Sequence, residues 1–539
     1  MKLVTAEQMR ALEQQAVQAG TSLDELMQSA GLAVAQEAWL MLGVVAGRRI
    51  LVLAGPGNNG GDGLVAARHL AEWDADVVVY QLAARDPSDP HLAAVRELGV
   101  PVYDAPADAG YTALDEATRK AELVVDALLG TGRSRPITGV LADILVRLRQ
   151  ALDGPAPPRV VAVDLPTGVD ANSGRADPLA VHADLTVTFG LAKVGLYTLP
   201  GSEYAGTVQV VDIGLPKDAE RTLPVELLGS AWVRGHLPPR PAAGNKGTFG
   251  RVLVVAGSGQ YVGAARLAAA ACYRVGAGLV TLACSSHVQA MVAPALAEAT
   301  YLLLDGPQPA AAIVEALAGY DVLLIGPGLG QDRDTRELVD HVLRDVTGTV
   351  RACVVDADAL NALAPIDGWS GRLPARCILT PHPGEMSRLL GCSVADVQDD
   401  RLGVAVRAAA QWGQTVVLKG AHTVVASPDG RAAISPYANP LLASAGTGDV
   451  LAGAIAGLVA QGMEPFEAAA CGVYVHGMAG GELRDDLGDR GLLASDLLPM
   501  LPRVIRIIRE GRPVRALPPF PGLPDALASS GGTPPGQPA

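Results

Sequence analysis

Short, nearly unbroken runs of Val, Leu, Ile and Ala recur along the chain, separated by longer stretches with helical spacing. In the first half the runs are Ile50–Ala54, Val77–Tyr80, Leu123–Ala127, Val160–Val163, Leu185–Phe189 and Val208–Val211. Strands that are apolar on both faces belong to parallel sheets covered by helices on both sides. The patterns over Glu7–Gly20 and Leu23–Leu42 predict two helices ahead of the first strand. The alternation lapses between Pro216 and Asn245, around Leu237-Pro-Pro-Arg-Pro241, which predicts a domain boundary near residue 225. It resumes with Val252–Ala256, Leu279–Ala283, Val322–Ile325, Cys353–Asp356, Cys377–Thr380 and Thr415–Leu418, with a helix over Gly263–Val275. The expected fold is α/β in two domains, residues 1–225 and 226–515, each built on a mainly parallel sheet.

Composition sharpens this. A chain of 539 residues exceeds one ordinary core. Aromatics make up only 4% against 49% hydrophobic residues, so the cores must be built of Ala, Val and Leu. The net charge of −14, without a Lys/Arg block, argues against nucleic-acid and anionic-membrane partners but leaves nucleotides open. No apolar stretch reaches the ~18 residues of a membrane span. Met1–Gln18 carries Glu7 and Glu13 and no apolar leader core, so a cytoplasmic location is expected. The six cysteines show no Cys-x-x-Cys spacing and read as reduced thiols rather than a zinc site. The Pro-, Gly- and Ser-rich tail, residues 516–539, is expected to be disordered.

Two glycine-rich segments carry the chemistry. Gly55-Pro-Gly-Asn-Asn-Gly-Gly-Asp-Gly63 follows the first strand. Glycine lets backbone N–H groups approach an anion, and a following helix start adds partial positive charge. A dinucleotide fold places an acid at the end of the second strand to hold a ribose hydroxyl. Here that strand ends Val79-Tyr80-Gln81, and no Gly-Lys-Ser/Thr follows the loop, so it reads as a substrate site for phosphate or ribose. Asp126 ends another strand and leads into Gly130-Thr-Gly-Arg-Ser-Arg-Pro136. Asp164 ends a third and leads into Leu-Pro-Thr167-Gly168. Carboxyl ends of neighbouring parallel strands face one crevice, so both acids are expected beside the glycine loop. Arg133 and Arg135 suit a phosphate.

These residues resemble the NAD(P)H-hydrate epimerase domain over about residues 1–225, which implies a Rossmann-like αβα sandwich. The resemblance implies that Asn58, Asn59, Gly60, Gly61, Asp62, Gly130, Thr131, Gly132, Arg133, Ser134, Arg135 and Pro136 contact a hydrated dinucleotide. It implies a potassium ion on Asn59, Asp126 and Thr167, with Asp164 catalytic and at the substrate. Many members have Ser at the position of Thr167, and some carry Tyr around Leu141.

The second segment, Ala445-Gly-Thr-Gly-Asp449, opens a helix of small residues. Its N–H groups suit a phosphoryl group, with Asp449 in reach as a base. Upstream, Gly326-Pro-Gly-Leu-Gly330, Asp356-Ala-Asp358, Thr380-Pro-His-Pro-Gly-Glu385 and Lys419-Gly-Ala-His-Thr423 each follow an apolar strand, which suggests one cleft. Lys419 could neutralise a phosphate and His382, between two prolines, is rigidly presented. With Asn245-Lys-Gly-Thr-Phe-Gly250 and the Gly257–Ala265 loop, these motifs resemble the ribokinase-like superfamily, and within it the ADP-dependent NAD(P)H-hydrate dehydratases, over about residues 228–515. That implies substrate contacts by Ala264, Gly328, His382 and Asp449. It also implies nucleotide contacts by Lys419, Gly420, Ala421, His422, Thr423 and Gly448, and magnesium with the nucleotide.

Together the two resemblances imply nicotinamide nucleotide repair. R- and S-NAD(P)H hydrates would be interconverted in the first domain. The S form would be dehydrated to NAD(P)H in the second, with ADP or ATP as co-substrate. The expected partners are these small molecules and further copies of the chain. The alternative is a ribokinase-type small-molecule kinase carrying a non-catalytic N-terminal nucleotide-binding domain. Thr-Pro-His-Pro-Gly-Glu in place of the Asn-x-x-Glu usual in such kinases stands against it.

Overall fold

A computed structural model describes residues 1–132, 136–216, 219–346, 350–374 and 376–512. The chain divides into two compact units, one comprising Val4–Lys217 and the other Met1–Leu3 with Asp218–Arg515. The expected tail at 516–539 lies outside the described residues.

The first unit is built on seven parallel strands. Across the sheet they run Val102–Asp104, Asp76–Gln81, Arg49–Ala54, Leu123–Ala127, Arg159–Val163, Leu185–Phe189 and Thr207–Val211. Leu51, Leu53, Tyr80, Val124 and Val160 face the helices Thr112–Lys120 and Val140–Leu152. Helix Asn58–Glu72 packs on the other side, where Gly63 abuts Ala127 and Val52. Two capped helices precede the sheet. Thr5 with Gln8 caps Ala6–Gln18, and Ser22 with Glu25 caps Leu23–Leu42. The edge strand Val102–Asp104 was not legible in the sequence, being three residues long and half exposed.

The second unit repeats the same strand order. Thr300–Leu303, Leu279–Cys284, Arg251–Val255, Val322–Ile325, Ala352–Val355, Cys377–Leu379 and Thr415–Leu418 are parallel. The short strands Val424–Ala426 and Ala432–Ile434 continue the sheet antiparallel. Val225–Leu227 then pairs parallel to Ala432–Ile434, and Lys2 and Leu3 pair antiparallel to Glu226 and Val225. The segment in which the alternation lapses therefore holds a short strand, and the helix Ser230–His236. Small residues bring helices Val262–Val275 and Thr447–Ala460 close together. A methyl group on Gly453 would strike the carbonyl of Ala268, and one on Gly457 would lie 2.5 Å from Val275. Helix Thr447–Ala460 is buried almost throughout, which explains its lack of polar positions after the first turn.

Among the described residues, no helix is long and apolar enough to cross a membrane. All six cysteines are free thiols, five of them buried and Cys392 exposed. No group of three His, Cys, Asp or Glu residues could hold a metal ion among the described residues.

Candidate active sites at the carboxyl ends of two parallel sheets

In the first unit the chain leaves Arg49–Ala54 and Leu123–Ala127 toward opposite sides, and the crevice between two such strands is where α/β sheets bind ligands. The glycines there have steric reasons. A Cβ on Gly55 would strike the carbonyl of Leu128, and one on Gly60 the carbonyl of Gly55. Gly61 faces the Met27 sulfur. Arg85 fastens the loop by donating to the carbonyls of Gly55 at 2.8 Å and Gly57 at 3.0 Å. Asn58 opens the helix, and Asn59 Nδ2 donates to the Leu129 carbonyl at 3.0 Å, with its Oδ1 beside Gly130.

Asp126 is wholly buried. Its Oδ1 accepts from Thr167 Oγ1 at 2.7 Å and its Oδ2 from the Thr167 N–H at 2.8 Å. Thr167 Oγ1 in turn accepts the Leu129 N–H at 3.0 Å. Asn59, Asp126 and Thr167 therefore meet around Leu128–Gly130. Burial pushes the Asp126 carboxyl up, against the hydrogen bonds from Thr167 and Leu128. Among the described residues no charged side chain acts on it. Thr131, Gly132 and the exposed Pro136 flank Arg133, Ser134 and Arg135, which lie outside the described residues.

Asp164 takes a left-handed backbone conformation, φ 66°, at the end of its strand, which is uncommon for a non-glycine residue. Its Oδ1 accepts from Thr188 Oγ1 at 3.0 Å and from the buried ammonium of Lys193. Lys193 also donates to Thr188 Oγ1 and the Phe189 carbonyl, both at 3.1 Å. Asp62 completes this group. Its carboxyl is held well above the usual range by burial first, then by Asp164 and Glu13, with Lys193 and Arg85 opposing. Glu13 is pushed up by burial and by Asp164. Sequence reasoning found Asp62 and Asp164 but missed Lys193, Glu13 and Arg85, which lie outside the glycine motifs.

In the second unit the corresponding loops also converge. Lys419 Nζ lies 2.6 Å from Asp356 Oδ1 and 3.7 Å from Glu385 Oε2. Thr380 Oγ1 donates to the same Asp356 oxygen at 2.7 Å. The lysine charge is thus already held by two carboxylates. Burial works against that charge, but Asp356, Glu385 and Asp449 together raise its pKa. Gly448 lies beside the same ammonium, where a Cβ would be 3.5 Å from Nζ. Asp449, in the first turn of Thr447–Ala460, is pushed up to about 7 by burial, then by Asp356, Asp358 and Glu385, against Lys419. Gly328 abuts Ala264, with their Cβ positions 2.7 Å apart if Gly328 carried one.

His382 caps the helix Pro383–Leu390. Its Nδ1 accepts the N–H groups of Gly384 at 3.0 Å and Glu385 at 3.3 Å, leaving Nε2, 3.3 Å from Glu385 Oε1, to carry the proton. Burial, then Lys419 and Arg388, lower its pKa. His422 is buried, with Nδ1 3.0 Å from the Ser435 carbonyl, so within Lys419–Thr423 it braces the loop from behind. Gly420, at φ 136°, is the turn that requires glycine, and Ala421 is partly accessible. Thr423 Oγ1 donates to the Gly420 carbonyl at 2.7 Å. Two supports escaped the sequence reading. Arg401, almost wholly buried, donates to the carbonyls of Leu418 and Lys419, both at 3.1 Å. His476 Nε2 lies 3.0 Å from the Thr447 carbonyl under the glycine turn.

Two αβα units, each gathering acids and a glycine-led helix start at the carboxyl edge of a parallel sheet, define an α/β enzyme with two centres. Residues 23–195 match the family model described as YjeF-related protein N-terminus, and residues 252–503 the one described as NAD(P)H-hydrate dehydratase. The chain belongs to the family of bifunctional NAD(P)H-hydrate repair enzymes. It is 43% identical to the bifunctional NAD(P)H-hydrate repair enzyme of Moorella thermoacetica over 504 residues, covering 90% of this chain and 93% of that protein. It is 38% identical to that of Thermofilum pendens, covering 95% and 97%. A solved structure, an ADP/ATP-dependent NAD(P)H-hydrate dehydratase from Bacillus subtilis co-crystallised with ATP and Mg2+, is 36% identical, covers 53% of this chain and 100% of that one, and superposes with a TM-score of 0.46. Relatives matched over 93% and 97% of their length support the two-activity reading and not the kinase alternative.

Proposed function

We propose that this chain restores hydrated nicotinamide nucleotides, equilibrating the R and S hydrates in the first unit and dehydrating the S hydrate in the second with ADP or ATP. The observation that carries the reading is Asp449. It is a half-buried carboxyl with a pKa near neutrality, one residue past Gly448 and close to Lys419. Hydroxide leaves a carbon poorly, whereas phosphate leaves well. Asp449 takes the proton from the substrate hydroxyl, whose oxygen bonds to the terminal phosphorus of the nucleotide as the bridging P–O bond breaks. The N–H groups at the helix start, Gly446–Gly448, steady the phosphoryl oxygens. The ring-nitrogen electron pair then expels phosphate, and loss of a proton from the adjacent ring carbon restores the dihydropyridine. Lys419–Thr423 and Gly448 hold the nucleotide, which arrives with magnesium. Ala264, Gly328 and His382 flank the nicotinamide side.

In the first unit Asp164 handles the proton of the substrate hydroxyl, while Asn58–Asp62 and Gly130–Pro136 hold the nucleotide. Asn59, Asp126 and Thr167 offer only hard oxygen donors around a buried carboxylate without a cationic partner, and this set fits potassium. When bound, that ion supplies the charge Asp126 lacks. Melting of the wild-type chain in potassium should exceed that in lithium at equal ionic strength, and Asp126→Asn should erase the difference.

Mixed hydrate epimers supplied with nucleotide test the whole reading through recovery of dihydronicotinamide absorbance. Wild type should recover both epimers. Asp449→Asn should abolish recovery and keep epimer exchange. Asp164→Asn should stop recovery once the S epimer is spent. Loss of both activities in either variant would refute two separate centres.

A further inference from the structure

The surroundings of Asp164 are asymmetric. Thr188 Oγ1, the Phe189 N–H and the Lys193 ammonium all converge on Oδ1, and among the described residues no donor reaches Oδ2. Lys193 is 1% exposed. Its three N–H bonds go to Asp164, Thr188 Oγ1 and the Phe189 carbonyl, so no donor is left over for a ligand. Such a lysine does not touch substrate. It can act only through the carboxylate it grips.

We propose that Lys193 is the positioning residue of the epimerising centre: its ammonium ties down Asp164 Oδ1, so that Oδ2 alone faces the substrate hydroxyl and accepts its proton. The inference rests on the epimerase reading of the first unit. Its chemistry balances simply. The O–H bond breaks and its proton passes to Oδ2 as the oxygen forms a carbonyl and the ring C–N bond opens, its electron pair going to the ring nitrogen. The nitrogen then re-closes on the other face of the carbonyl and the proton returns from Oδ2 to the oxygen. Asp62, from helix Asn58–Glu72, and Glu13, from helix Ala6–Gln18, are the other acids near Asp164. Arg85 bears on Asp62, and Arg10 on Glu13. Lys193 is the cation that bears on all three acids. Without it, Asp164 would face two further acids with no compensating charge of its own.

The test uses the full-length chain without nucleotide, following conversion of purified R hydrate to S by chromatography across pH. Lys193→Met should lower kcat about 100-fold while KM moves less than about threefold. The acid limb of its pH profile should move to higher pH, because removing a neighbouring cation disfavours the carboxylate. Lys193→Ala should regain part of its rate with ethylammonium, which a merely structural lysine would not allow. Thr188→Val, equal in shape but without the hydroxyl, removes one support from Asp164 Oδ1 and one acceptor from Lys193; it should lower the melting temperature slightly, leave the chain folded, and cost about three- to tenfold in kcat. It decides the matter if the lysine variants do not fold. Wild-type epimerisation with Thr188→Val and any folded lysine variant within twofold in kcat, and no pH shift, would overturn the inference alone. A wild-type chain that does not epimerise would overturn the reading beneath it as well.

Discussion

Asp449 must be ionised to accept a proton, and its surroundings hold the carboxyl near pH 7. The dehydration rate, as kcat/KM, should therefore climb to about pH 7 and fall roughly tenfold per unit below it. Lys419 opposes the rise, so Lys419→Met should move that limb to still higher pH. Two buried histidines make the opposite kind of demand. Burial lowers His422 and His476 to about 4, so both are neutral in the native protein at pH 7. Unfolded histidine binds its proton near 6.5, so their contribution is complete above that value and is lost as pH falls from about 6.5 to 4. At most ~3 kcal/mol is at stake for each. Urea unfolding at pH 7 and pH 5 measures this loss, and His476→Gln, which keeps a donor toward Thr447, should flatten the dependence. The acids Asp126, Asp164, Asp356 and Asp449 were legible because each polar residue follows an apolar strand or a glycine turn. Lys193, Glu13 and Arg401 were not. Each sits in an unremarkable stretch of sequence and acquires meaning only where distant segments meet.

At the level of elements, the contact between helices Val262–Val275 and Thr447–Ala460 depends on missing side chains. Gly453→Ala places a methyl group on the Ala268 carbonyl and should destabilise the second unit by about 1–3 kcal/mol, read as a lower melting temperature. Gly235→Ala, in helix Ser230–His236 with open space around its Cβ position, should be neutral or stabilising by up to ~1 kcal/mol. The central strands were legible almost to the residue, Val322–Ile325 and Leu123–Ala127 among them, because burial on both faces leaves a nearly unbroken apolar run. The three-residue strands Val102–Asp104, Val225–Leu227, Val424–Ala426 and Ala432–Ile434 were not. Such lengths are too short to show any period, and their pairing is decided by neighbours remote in sequence.

Over the whole molecule, both units lay down their strands in one order and place their acids at the carboxyl edge of the sheet. Lys2 and Leu3 pair with Glu226 and Val225, and the Met1 ammonium lies 2.7 Å from Glu226. The first unit is thus a guest inserted in the second, entered after Leu3 and left near residue 217. A gene divided once at that later crossing would rob the host of its own border strand. Dehydration by the 218–539 piece should accordingly fail at a lower temperature than in the intact polypeptide. Clean excision of the guest takes two incisions, with the host's severed ends spliced together.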